Sequence, residues 1–129
     1  MARPGNEHPT DRELTILNVL WERGPSRLSA ICGALRQGGS AAPSTVATML
    51  KIMRQKGFVE RVSSDKGVVW EARLTHEEAG SGMLETLMNR LFDGSARKVV
   101  LHLLEGGELS RKDREEIRRV LETTKKAKR

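Results

Sequence analysis

From Leu14 to Met53 apolar residues return every three or four positions; around Val68–Leu74 they return every second position, and from Met83 onward every three or four again. A period near 3.6 marks a helix with one buried stripe, and a period of two marks a half-buried strand. Thr10 with Glu13 three residues later is a capping box, in which each side chain takes the other's unpaired backbone N–H. The helix behind it carries Leu14, Leu17, Leu20 and Trp21 and runs to about Arg23, before Gly24-Pro25. Ser26-Arg27-Leu28 is expected as a short edge strand, with Ser29 capping a second helix that carries Ala30, Ile31, Ala34 and Leu35 and stops at Gly38-Gly39-Ser40. Pro43 suits the first turn of a third helix, capped by Ser40 or a near neighbour. Its apolar side is Val46, Met49, Leu50 and Met53, and it ends at Lys56-Gly57.

The change of period then predicts a β-hairpin: a strand at Phe58–Val62, the polar run Ser63-Ser64-Asp65-Lys66-Gly67, and a second strand with Val68, Trp70, Ala72 and Leu74 alternating against Val69, Glu71 and Arg73. Three helices, a short strand after the first, and a hairpin is the order of a winged helix. Helices resume at Glu77, with Met83, Leu84, Leu87, Met88, Leu91 and Phe92 on one face. A second is capped by Ser95 and carries Val99, Val100, Leu103 and Leu104; a third opens at Ser110 with Ile117, Val120 and Leu121. Some fifty residues in this form enclose no core alone, and no disulfide or metal can staple them, so dimerisation is the expected way to cover these faces.

The fold class is therefore mostly α with a small antiparallel β-hairpin: a flexible leader at 1–9, a winged helix-turn-helix domain at 10–78, and a three-helix C-terminal dimerisation domain with a basic tail at 79–129. The expected dimer interface is Leu84, Leu87, Leu91, Val99, Val100, Leu103, Leu104, Ile117, Val120 and Leu121.

Composition narrows the function. The net charge of +6 and pI near 10 favour a polyanionic partner, yet the basic residues are spread over both halves of the sequence. No apolar run is long enough to cross a membrane, the N-terminus has no signal-like core, and the single cysteine makes no internal disulfide. A reducing cytoplasm is the expected location. His8, His76 and His102 are scattered with no nucleophile motif or phosphate loop beside them, so neither an enzyme nor a cofactor or metal site is expected. Cys32, Trp21, Trp70 and the methionines read as packing residues.

The third helix holds the candidate chemistry. Opposite its apolar side lie Ser44, Thr48, Lys51 and Gln55, flanked by Thr45 and Ala47. Short hydroxyls near the N-terminus suit base edges in the major groove, and the Ala47 methyl suits a thymine methyl. The expected base contacts are Ser44, Thr45, Ala47 and Thr48. Residues 44–73 hold six basic side chains, Lys51, Arg54, Lys56, Arg61, Lys66 and Arg73, against Glu60, Asp65 and Glu71. Lys51, Arg54, Arg61, Lys66 and Arg73 are the expected backbone contacts, because phosphate binding requires local positive charge. An alternative is a winged-helix module whose third helix meets protein without sequence-specific DNA binding.

Several segments resemble a known family. Thr10-Asp11-Arg12-Glu13-Leu14 leads to Val19-Leu20-Trp21, and Ala42-Pro43-Ser44-Thr45-Val46-Ala47-Thr48-Met49-Leu50 leads to Lys56-Gly57; Leu91-Phe92-Asp93-Gly94 and Leu109-Ser110 follow. In this order they resemble the BlaI/MecI/CopY group of penicillinase and copper-transport repressors. The resemblance implies a winged-helix domain, a helical dimerisation domain and a palindromic double-stranded operator. It places base contacts at Ser44, Thr45 and Thr48, with Arg54 and the hairpin toward phosphates; at the Ser44 position the commoner family residue is Lys. The Cys-rich motif of the copper-responsive members is absent after Ser110. Penicillinase repressors are released when a membrane sensor protease system triggers cleavage at an Asn-Phe bond, and the matching pair here is His102-Leu103.

Overall fold

The computed structural model of the chain describes residues 8–36, 42–65 and 67–128. The predicted helix stop Gly38-Gly39-Ser40, the hairpin residue Lys66 and most of the predicted leader lie outside them. The chain divides into two compact units, Met1–Leu84 and Glu85–Arg129.

In the first unit, α1 (Asp11–Arg23) opens on the full capping box: the Thr10 N–H donates to Glu13 Oε1 at 3.0 Å, and the Glu13 N–H donates to Thr10 Oγ1 at 3.2 Å. It buries Ile16, Leu17, Val19 and Leu20, while the predicted Leu14 and Trp21 are only half-buried. The stripe is thus rotated slightly from the one the sequence suggested. Trp21 is held at its edge, where Nε1–H donates to the Leu74 carbonyl at 2.9 Å and the ring meets His76 in a T-shaped contact.

The predicted strand at Ser26–Leu28 shrinks to a single bridge. Ser26 exchanges both backbone hydrogen bonds with Trp70, at 2.9 and 2.7 Å, and α2 (Leu28–Arg36) starts two residues later. One bridge already satisfies Ser26, and winding at once into a helix turns Leu28 and Ile31 toward the core. Ser29 consequently sits inside α2 and does not cap it.

Helix α3 (Pro43–Lys56) begins behind Ala42, which offers no side-chain cap, with Pro43 in the first turn. Val46, Leu50 and Met53 are buried. It ends at Gly57 with φ 86°, a left-handed conformation that costs glycine little. There the Gly57 N–H donates to the Arg54 carbonyl and the Phe58 N–H to Met53, which folds Phe58 back into the core. Strands β1 (Val59–Ser64) and β2 (Gly67–Ala72) pair antiparallel with Arg61 opposite Trp70. Each starts a residue or so away from its predicted limits. The core runs from Ile16 to Ala79 and includes Ile31, Cys32, Val46, Leu50, Met53, Phe58, Trp70 and Leu74.

Helix α4 (His76–Leu91) is opened by a second reciprocal box, between Thr75 and Glu78, and buries only Ala79. In the second unit α4 ends in a turn where Asp93 and Gly94 both have positive φ. Ser95 caps α5 (Ala96–Glu105), and Ser110 with Asp113 forms a box ahead of α6 (Arg111–Lys128). The fold class is the predicted one, with six helices and one antiparallel hairpin among the described residues, in winged-helix order.

Candidate nucleic-acid interface

The inner side of α3 is fixed by Val46, Leu50 and Met53, so its opposite side faces away from the core. Ser44, Thr48, Lys51 and Gln55 are exposed there, Thr45 and Arg54 are exposed on the flanks, and Ala47 is half-buried at the margin. No acidic residue occurs in α3. Thr48 Oγ1 donates its proton to the Ser44 carbonyl at 2.9 Å, one turn back. That commitment leaves the hydroxyl lone pairs free to accept.

The six cations counted between residues 44 and 73 separate into groups that the sequence could not distinguish. Lys56 is drawn inward: its Nζ lies 3.0 Å from Oε2 of Glu13, whose side chain is almost fully buried, and 5.8 Å from the Phe58 ring centre. Glu13 thereby ties the first turn of α1 to the last of α3. Arg73 donates to Glu60 Oε1 at 2.6 Å. Glu60 stands opposite Glu71 in the hairpin, a like-charge pairing that destabilises a sheet unless a cation relieves it. That hydrogen bond and the Glu60 charge hold the Arg73 guanidinium above its ordinary pKa. Lys51, Arg54 and Arg61 remain, exposed and in no ion pair among the described residues. Lys66 lies outside the described residues.

Sequence reasoning missed the Glu13 partner of Lys56, because Glu13 was already accounted for as a cap. It also missed Ile52, an exposed apolar residue beside Thr48 that breaks no periodicity rule.

Of the expected dimer residues, Leu84, Leu87, Leu91, Val100, Leu103, Leu104, Ile117, Val120 and Leu121 are exposed, and Val99 is half-buried. Leu101 is exposed as well. His102-Leu103 lies inside α5, where the His102 carbonyl accepts from the Gly106 N–H at 3.0 Å and the imidazole edges onto Phe92. A protease would have to unwind α5 to reach that bond. Among the described residues no group of His, Cys, Asp and Glu could hold a metal, and no helix is long and apolar enough to cross a membrane.

An acid-free third helix held on a closed core in front of a hairpin defines a winged helix-turn-helix fold. Residues 9–123 match the penicillinase repressor family model, and the chain belongs to that family, whose members are transcriptional repressors and not enzymes. It is 24% identical to the penicillinase repressor of Bacillus licheniformis over 92% of this chain and 93% of that one. It is 20% identical to the penicillinase repressor of Staphylococcus aureus, with 84% and 86% of the two chains covered. To the methicillin resistance regulatory protein MecI of Staphylococcus aureus strain N315 it is 21% identical, over 84% and 89%.

Proposed function

We propose that this chain represses transcription by binding a palindromic operator as a homodimer, each protomer presenting α3 to the major groove of one half-site. The observation that carries the reading is the exposed face of α3, with hydroxyls in its first turns, free cations behind them and no acid. Ser44, Thr45, Ala47 and Thr48 contact bases. Because the Thr48 proton is committed to Ser44, Thr48 acts as an acceptor, which fits the amino group of adenine or cytosine. Lys51, Arg54 and Arg61 neutralise phosphates, joined by Lys66. Arg73 reaches a phosphate only by giving up Glu60. The exposed apolar faces of residues 84–121 support self-association through the second unit, which places two recognition helices on one duplex. Release follows if a sensor-linked protease cuts His102-Leu103 after α5 unwinds, since the cut separates Val99 and Val100 from Leu104.

The test compares Thr48→Ala and Arg61→Ala on a duplex that the full-length chain selects from a random pool and on a scrambled duplex, at several salt concentrations. Thr48→Ala should cost about 1–3 kcal/mol on the selected duplex and much less on the scrambled one. Arg61→Ala should weaken both alike and flatten the salt dependence by about one unit of slope. Equal losses on both duplexes for Thr48→Ala would remove α3 from sequence reading. Wild-type binding that ignores salt would favour a protein partner instead.

A further inference from the structure

Before α4, Ile52 is the one large apolar side chain left exposed among the described residues, at 42%. Side chains of similar size in the same unit, such as Ile16, Ile31, Leu50 and Phe58, are buried to within 1%. Nothing in α3 itself favours isoleucine at this position. A β-branched residue is a poorer helix former than the lysine, glutamine or arginine found nearby, and on a face that meets only water a polar side chain would serve better.

Its position explains it. At about 100° per residue, Thr45, Thr48 and Ile52 fall within about 60° of one another, along one flank of the exposed face. Seven residues at about 1.5 Å each put Ile52 about 10 Å along the helix from Thr45, close to three base-pair steps of about 3.4 Å. Lys51 precedes it and Arg54 follows two residues later, both exposed. A partner of Ile52 must therefore be apolar where it touches the side chain and anionic around it. In the major groove the C5-methyl of thymine is the apolar group among the base edges, and phosphates surround it. We infer that Ile52 is a sequence-reading residue that packs on a thymine methyl of the half-site, beyond the bases met by Thr45 and Thr48. The inference rests on the reading of α3 as the recognition helix.

The test removes the methyl and the side chain independently. Wild type, Ile52→Ala and Ile52→Val are titrated against the duplex selected from a random pool, against copies in which each thymine in turn is replaced by deoxyuridine, and against a scrambled duplex. At one thymine, deoxyuridine should weaken the wild type about fourfold, the loss of one methyl-sized apolar contact. Ile52→Ala should be weaker on the unmodified duplex, indifferent to that same replacement and unchanged on scrambled DNA, while Ile52→Val keeps most of the discrimination. The inference is overturned if every deoxyuridine duplex affects wild type and Ile52→Ala alike, or if Ile52→Ala loses equally on scrambled DNA. A wild type that does not tell selected from scrambled duplex overturns the reading of α3 as well. Discrimination without any sensitivity to deoxyuridine overturns the Ile52 contact alone. Unfolding followed by tryptophan fluorescence checks that the variants are folded.

Discussion

The two units carry helices of comparable amphipathic pattern with opposite outcomes. In the first, helices α1 to α3 and the hairpin bury Leu17, Ile31, Val46, Leu50, Met53 and Phe58 completely or nearly so. In the second, no described side chain from 85 to 123 is buried, and Leu91, Val120 and Leu121 are each more than 60% exposed. The cause is the number of directions from which a helix is covered. Each helix of the first unit meets two other helices or the hairpin, which closes around Trp70 and the Ser26 bridge. The helices α5 and α6 have nothing in their own unit to play the hairpin's part. Regular local structure with good caps is therefore achieved in both units, and a core in only one. Burial worth about 1.5–3 kcal/mol per large apolar side chain is gained in the first unit and still available in the second.

The largest expected effect falls on the closed core. Phe58→Ala should cost about 3–5 kcal/mol, because it removes a fully buried ring at the point where α3 turns into β1. Both tryptophans of the chain, Trp21 and Trp70, lie in the first unit, so their fluorescence follows its unfolding specifically. The midpoint should fall by the same amount at every protein concentration. A loss under about 1 kcal/mol would erase the contrast between the units.

Next comes Leu87→Asp, which places a charge on the exposed apolar side of α4. It should weaken self-association on the order of 100-fold while leaving the tryptophan transition in place, as sedimentation and fluorescence on the same samples would show. A wild type that sediments as a monomer at micromolar concentration would mean that these faces are not an interface between copies.

The smallest effect belongs to the turn between α4 and α5. Lys98 Nζ lies 2.7 Å from Asp93 Oδ2, and this hydrogen bond, together with the lysine charge, holds the Asp93 carboxyl below its ordinary pKa. A carboxyl depressed in the folded state contributes stability above its unfolded pKa and loses it as the pH falls through the folded value. Acidification through that range should therefore loosen this turn. In Lys98→Ala, the Asp93 titration followed by NMR should move up to that of a free aspartate. An unchanged titration would show that the pair is not formed in solution.

The sequence by itself determined the order of elements, because caps, breakers and hydrophobic period are local signals. Thr10 with Glu13, Pro43, Gly57, Ser95 and Ser110 all mark element ends where they were expected. It also placed Ser44 and Thr48 opposite the buried side of α3, with Thr45 flanking them, since a helix fixes which residues share a face. What depended on distant partners was decided by the tertiary structure alone. The Ser26 strand contracted to one bridge with Trp70, and Leu28, at the start of α2, packs against the core. Of six cations that look equivalent in the sequence, Glu13 and Glu60 withdraw Lys56 and Arg73, and Glu13 lies 43 residues from its partner. Charge is a property of a residue type and can be counted along a chain, but whether that charge is free depends on a neighbour that only folding brings near.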